Sequence, residues 1–206
     1  MRSTLIAWTH STLNPWLGCL RVSTACDHCY AAAIAKRTRR RDDQGRDLWD
    51  LIRATPALEW QLLTKRPQNI AGMLPPDWGD GWPSVWLGTT TENQVEAARR
   101  IPHLVTIPAA IRFLSVEPML EAIDLSPWLD RLHHVIVGGE SGVGNRSRPM
   151  YPDWLRALRD QVQAAGLALF VKQLGSNRAA WPGVRHLKGE DPAEWPADLQ
   201  IQDFPP

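Results

Sequence analysis

Val85-Trp86-Leu87-Gly88-Thr89 runs into Thr91-Glu92-Asn93-Gln94, and Val95, Ala98 and Ile101 follow. The first stretch has the length and apolar character of a buried strand. The second is a capping box, in which Thr91 and Gln94 each satisfy a backbone donor at a helix start. The third recurs at near-helical spacing. Together they spell one strand–loop–helix unit, and the same unit repeats in both directions along the chain.

Five more runs resemble the first: Leu5-Ile6-Ala7-Trp8, Trp60-Gln61-Leu62-Leu63-Thr64, Arg112-Phe113-Leu114-Ser115-Val116, His134-Val135-Ile136-Val137-Gly138 and Ala168-Leu169-Phe170-Val171-Lys172. From Trp60 onward their starts fall about 22 to 34 residues apart, which suits alternating strands and helices. Near-continuous apolar strands of this kind read as parallel and buried on both faces. Pro152-Asp153 opens a helix whose Leu155, Leu158, Val162 and Ala165 form one stripe before Gly166 ends it. Asp27 caps a further helix through Tyr30 and Ile34 to about Arg40. This alternation predicts an α/β fold. About six parallel strands are too few for a closed eight-stranded barrel, so the expectation is a partial (β/α) barrel. It occupies residues 1–175 as a single domain, with an irregular, Pro- and Trp-rich tail over 176–206.

Composition narrows the partners. Lys and Arg number 23 against 22 Asp and Glu, so no whole-protein field draws the chain to nucleic acid or an anionic membrane. The N-terminus lacks the apolar run of a signal peptide, and no stretch approaches the roughly 20 apolar residues that span a bilayer. A cytoplasmic protein with reduced thiols is expected. The 11 tryptophans read as packing groups whose indole N–H finds a carbonyl.

The chain has three cysteines, and all lie in one loop, Cys19-x6-Cys26-x2-Cys29. Three thiolates on one short loop hold three irons of a cubane cluster and leave the fourth iron open. A Zn site completed by His28 or His10 is the alternative, and unrelated buried cysteines are another. A disulfide would strand one thiol of the odd count.

The strands end in polar residues. Thr64-Lys65-Arg66-Pro67, Glu117-Pro118, Gly138-Gly139-Glu140-Ser141-Gly142 and Lys172-Gln173 each follow an apolar run. In α/β folds this strand edge is where loops assemble a ligand site. Lys65 and Arg66 suit a carboxylate or phosphate. Gly138-Gly139 either permits close backbone approach or makes a tight left-handed turn, and Glu140 suits an amine. The basic run Lys36-Arg37-Thr38-Arg39-Arg40-Arg41 is followed at once by Asp42-Asp43 and reads as a solvated helix end. His133-His134 starts its strand, away from this edge.

Ile6-Ala7-Trp8-Thr9, Leu13-Asn14-Pro15-Trp16-Leu17-Gly18-Cys19, Cys26-Asp27-His28-Cys29-Tyr30-Ala31 and Leu62-Leu63-Thr64-Lys65-Arg66-Pro67 appear in that order, followed by Val135-Ile136-Val137-Gly138-Gly139-Glu140-Ser141-Gly142, Arg148-Pro149-Met150 and Phe170-Val171-Lys172-Gln173. This ordered set resembles the phage gp thirty-seven/sixty-eight family, which is similar to the radical S-adenosylmethionine enzymes in its cysteine loop. The resemblance implies a radical-enzyme-like partial barrel in which Cys19, Cys26 and Cys29 hold a four-iron four-sulfur (4Fe-4S) cluster. The open iron would bind S-adenosylmethionine. Tyr30, Lys65, Glu117, Gly138, Gly139, Glu140 and Lys172 are then the candidates for cofactor or substrate contacts, and the substrate is unknown. Phage association points toward nucleic acid, or a partner protein encoded nearby, as the further partner. A non-catalytic Zn- or cluster-binding protein is the other reading.

The cysteine spacing here is six then two, where the radical enzymes commonly have three then two. The family also carries another strand before the Leu-Leu-Thr-Lys-Arg-Pro run, whereas here Arg39 to Asp47 leads directly into Leu48-Trp49-Asp50-Leu51-Ile52. The comparison predicts an internal deletion, with no strand inside residues 40–47. A loop would join the helix near Asp27 to one at Asp47–Thr55, and the sheet would either pair Leu5–Trp8 with Trp60–Thr64 or stand open there.

Overall fold

A computed structural model describes residues 2–4, 6–13, 21–27, 29, 48–142 and 146–206. The chain divides into two compact units, Met1–Glu59 and Trp60–Pro206. Expectations for Leu5, the helix from Asp27 to Arg40, and residues 40–47 concern positions wholly or mostly outside the described residues.

In the first unit, β1 (Arg2–Ser3) pairs antiparallel with β2 (Ser11–Thr12). The strand expected over Leu5–Trp8 is not formed at Ile6–Trp8. These residues make the turn between β1 and β2, where the Thr9 amide donates to the Ile6 carbonyl at 3.2 Å. Four residues that reverse the chain cannot also extend it. A short helix, α1 (Leu48–Arg53), follows and buries Ile52.

The second unit is an α/β fold on a five-stranded parallel sheet. Its strands are β3 (Trp60–Thr64), β4 (Val85–Thr90), β5 (Ile111–Val116), β6 (His134–Gly138) and β7 (Ala168–Gln173), each beside the next in chain order. Among the described residues the sheet begins at β3 and has five strands, where about six are expected from the sequence. Every residue of β4 and of β6 is buried, as strands covered on both faces must be. The register aligns Thr64, Thr89, Leu114, Val135 and Leu169 in one row, and Leu63, Gly88, Phe113, His134 and Ala168 in the next. Adjacent rows point to opposite faces. Gly88 leaves room for the Phe113 ring, which a Cβ there would approach to 2.4 Å.

Helices fill two of the four crossovers. α2 (Gln94–Val105) links β4 to β5, and α3 (Pro152–Ala164) links β6 to β7. The β3–β4 connection instead runs through 3-10 turns at Pro67–Asn69 and Ala71–Met73, and the β5–β6 connection through one at Leu129–Arg131. Prolines at 67, 75, 76 and 83 remove backbone donors from the first of these and forbid a continuous helix.

The helix start at α2 differs from the capping box read at Thr91–Gln94. Asn93 is the N-cap and its side chain accepts from the Glu96 amide at 2.8 Å. The Thr91 amide is already committed to the Ser115 carbonyl, which prolongs the extended chain past β4. The buried face shifts accordingly. Ala97, Ile101 and Leu104 are buried together with Arg100, whereas Val95 is 71% exposed. α3 follows the sequence closely, burying Leu155, Leu158 and Val162 and ending at Gly166 with φ of 69°.

The last residues close the sheet's far edge. The Val171 amide donates to the Ile201 carbonyl and the Asp203 amide to the Leu169 carbonyl, both at 2.8 Å, so Ile201–Asp203 runs antiparallel along β7. This satisfies backbone groups that an edge strand would otherwise present. The segment before it is irregular and is anchored by buried Trp181, Trp195 and Leu199, with Trp195 Nε1 donating to the Gly189 carbonyl at 2.9 Å. Among the described residues no helix is long and apolar enough to cross a membrane.

Beneath this closing segment His134 is fully buried, with Trp86 edge-on at 6.1 Å and Phe204 at 5.7 Å between ring centroids. Neither ring nitrogen has a partner of hydrogen-bonding geometry among the described residues. Burial, partly offset by the nearby Asp203 backbone, lowers its pKa from 6.5 to about 4. A base with a lowered pKa in the fold binds its proton more readily when unfolded. Its contribution is therefore intact above pH 6.5 and is lost as pH falls toward 4. The loss expected from this group is about 3 kcal/mol. Urea unfolding at pH 7 and pH 4.5 measures it, and His134→Leu should flatten the difference.

Candidate functional site

Two sets of candidate residues lie in the two units. In the first, a 3-10 turn spans Thr24–Cys26 and ends three residues before Cys29 in the sequence. The amides of Cys26, Asp27 and Cys29 bond to the carbonyls of Ser23, Thr24 and Cys26 at 3.0, 3.1 and 3.3 Å. The last of these i to i+3 bonds sets Cys26 and Cys29 one turn apart. Cys26 is half-buried with the Ser23 hydroxyl 3.9 Å from its sulfur, and Cys29 is exposed. Arg21 and Asp27 form an ion pair on the same loop. Cys19 and Tyr30 lie outside the described residues.

In the second unit the parallel strands bring Lys65, Glu117, Gly138, Glu140 and Lys172 to one sheet edge. Their charges occur in three groups. At the ends of β5 and β7, Lys172 Nζ donates to Glu117 Oε1 at 2.5 Å. The fully buried Gln173 donates to the same oxygen at 3.3 Å and to the Gly139 carbonyl at 3.0 Å. Gly138 lies between them on β6. A Cβ there would meet Glu117 and Gln173 at 3.4 Å, so the two side chains cross the place where a larger residue would stand.

After β6, Glu140 is buried and is held by Arg148. The Arg148 amide donates to Glu140 Oε2 at 2.7 Å and its Nε to the same atom at 3.1 Å, while NH2 reaches Oε1. Such two-atom gripping fixes the plane of the carboxylate. Neither Gly138 nor Gly139 has a positive φ, so the left-handed turn considered for them does not form. Gly139 does serve close approach, but to the chain itself. A Cβ there would lie 2.3 Å from the Leu174 carbonyl oxygen.

At the ends of β3 and β4, Lys65 Nζ donates to Glu92 Oε1 at 3.2 Å. Glu92 is fully buried, and its Oε2 accepts from Arg100 NH1 at 2.7 Å. Arg100 also donates to the Thr90 carbonyl at 2.7 Å and pairs with Glu96 at 2.7 Å. A buried carboxylate is tolerable only when charge and hydrogen bonds surround it in this way.

Glu92, Arg100, Arg148 and Gln173 are the site residues that the sequence did not single out for a role. Arg100 left a signal, because it falls among Ala97, Ile101 and Leu104 on the apolar face of α2, where a lone arginine needs a buried acid. Gln173 stands among the polar strand ends, but its partners Glu117 and Gly139 are remote in sequence; Arg148 lies eight residues from Glu140 in a stretch with no pattern that marks the pair.

A family model described as a protein of unknown function, DUF5131, matches residues 3–47 and 41–191. The chain belongs to the DUF5131 family. The two matched stretches of this DUF5131 chain overlap at 41–47, within the polar run where a deletion is expected from the sequence. No curated protein and no solved structure matches the chain.

Proposed function

We propose that this chain is a radical S-adenosylmethionine-type enzyme on a partial (β/α) barrel, related to the phage gp thirty-seven/sixty-eight proteins. The observation that carries the reading is the cysteine loop. Cys26 and Cys29 lie one turn apart, with Cys29 exposed, and thiolate ligation needs that spacing and access. This donor chemistry fits a 4Fe-4S cluster held by Cys19, Cys26 and Cys29. Bound there and reduced, such a cluster would supply one-electron chemistry for reductive cleavage of S-adenosylmethionine and hydrogen abstraction from a substrate.

The protein's part is to bind and orient. Lys65, Glu117, Glu140 and Lys172 offer fixed donors and acceptors at the strand ends for polar groups of a ligand, and the sequence adds Tyr30, beside the cysteines, as a further candidate. Consecutive strand order also supports the barrel reading. The strand order never reverses direction. With the usual right-handed crossover, such an order puts every connection on one face, as in a (β/α) barrel, whereas a doubly wound sheet reverses.

Anaerobic purification tests the reading directly. The expected protein is brown, absorbing broadly near about 400 nm. Cys26→Ala and Cys29→Ala should each lose most of the iron. Reduced with dithionite, the intact protein should form 5′-deoxyadenosine from S-adenosylmethionine, measured by chromatography. A colourless protein with one Zn per chain would replace this reading with that of a metal-stabilised binding protein. A loaded, reduced cluster that yields no deoxyadenosine would remove the radical chemistry.

A further inference from the structure

Among the described residues, two of the three charged groups at the sheet edge join one acid to one base, Glu117 with Lys172 and Glu140 with Arg148. The third is not. Arg100 pairs with both Glu92 and Glu96, and Arg99 pairs with Glu96 as well, so among the described residues two arginines already face the two carboxylates. Lys65 is a third cation on those two acids. It is also the more accessible partner of Glu92, with 27% of its side chain exposed against none of the acid's. An ammonium has three N–H donors. Lys65 spends one on Glu92, and no other partner takes the remaining two among the described residues.

Two neighbours strengthen the asymmetry. Arg66 is exposed and has no acidic partner among the described residues, so it adds positive potential at the same strand end. Next to Glu92 in the chain, the Thr91 hydroxyl is fully buried and lacks a partner among the described residues. A buried hydroxyl left this way normally finds one. Glu121 is the other nearby acid. Its Oε1 accepts the Gln94 amide at 2.7 Å, so its charge is offset by the start of α2.

We propose that the C-terminal end of β3 binds an oxyanion, a phosphoryl or carboxylate group of a small ligand. Lys65 makes the contact, Glu92 and Arg100 hold Lys65 in place, and Arg66 raises the local potential. An anion neutralises the surplus cation without disturbing the buried network, because Arg100 keeps both carboxylates paired. The inference does not rest on the cysteine loop, and it holds or fails whether or not iron is bound.

Inorganic phosphate and acetate are the probes, titrated separately into the ¹⁵N-labelled full chain. The expected result is a saturable shift of the Lys65, Arg66 and Thr91 amides. Lys65→Met should weaken it about tenfold. Arg66→Met removes an exposed side chain and leaves the buried network intact, so it reports on binding even where Lys65→Met unfolds. It should weaken binding about threefold. A response to phosphate alone assigns a phosphoryl ligand, and a response to acetate alone or to both assigns the wider oxyanion class. Shifts spread over the surface without saturation, no shift with either probe, or saturable shifts unchanged in Arg66→Met and in a folded Lys65→Met, would overturn the proposal.

Discussion

Replacing Arg100 by methionine is expected to destabilise the second unit by about 3–5 kcal/mol, the range for breaking a buried ion pair from one side. The size follows from what stays behind. Glu92 is fully buried and Glu96 nearly so, and both lose the guanidinium that pairs with them at 2.7 Å. The Thr90 carbonyl loses its donor at the same time. Lys65 can still reach Glu92 but not replace two hydrogen bonds and an ion pair. Lys65→Met should cost far less, about 1 kcal/mol, since it leaves Glu92 with Arg100. Urea unfolding at neutral pH separates the two. An added Glu92→Gln should recover part of the Arg100→Met loss by removing the stranded charge, and non-additivity in that cycle measures the coupling. Equal and small losses for both single variants would show that the network is not what holds α2 to the sheet.

The same residues show where the sequence was legible and where it was not. Strands β3 and β6 were read to the residue, because an apolar run bounded by turn residues has few other fates. The edge on which the polar residues gather was legible too, since parallel strands put every C-terminal end on one side. Pairing across that edge was not. Glu117 and Lys172 are 55 residues apart, and no local pattern encodes their contact. Apparent local order also misled. Thr91–Gln94 has the letters of a capping box, but the next strand claims the Thr91 amide and moves the cap to Asn93. Leu5–Trp8 has strand composition, yet Ile6–Thr9 is the turn of a small hairpin. A tertiary hydrogen bond outranks propensity in the first case, and a local turn bond does so in the second.

Gly139→Ala should be the second severe change, costing about 3 kcal/mol or more, at the upper end of overpacking. The φ of Gly139 is not positive, so alanine meets no backbone strain of its own. The obstacle is contact. Its Cβ would lie 2.3 Å from the Leu174 carbonyl oxygen, 2.6 Å from that carbonyl carbon and 2.8 Å from the Gly175 Cα. All three are main-chain atoms, and no side-chain rotation relieves them. The chain after β6 would have to part from the chain after β7, where the Gly139 amide bonds to the Gln173 carbonyl and the Ser176 amide to the Glu140 carbonyl, both at 2.9 Å. Gln173 would then lose its hold on the Gly139 carbonyl and on Glu117. Gly138→Ala is the control, because its Cβ meets only side chains at 3.4 Å, an ordinary contact. That change should cost under about 1 kcal/mol. Hydrogen exchange distinguishes local parting from global loss. In Gly139→Ala the amides of residues 139 and 176 should exchange faster than those of Val135 and Ile136, which lie deeper in β6. If Gly138→Ala and Gly139→Ala prove equally mild, the two strand ends are not in the close contact on which the Glu117–Gln173–Lys172 arrangement depends.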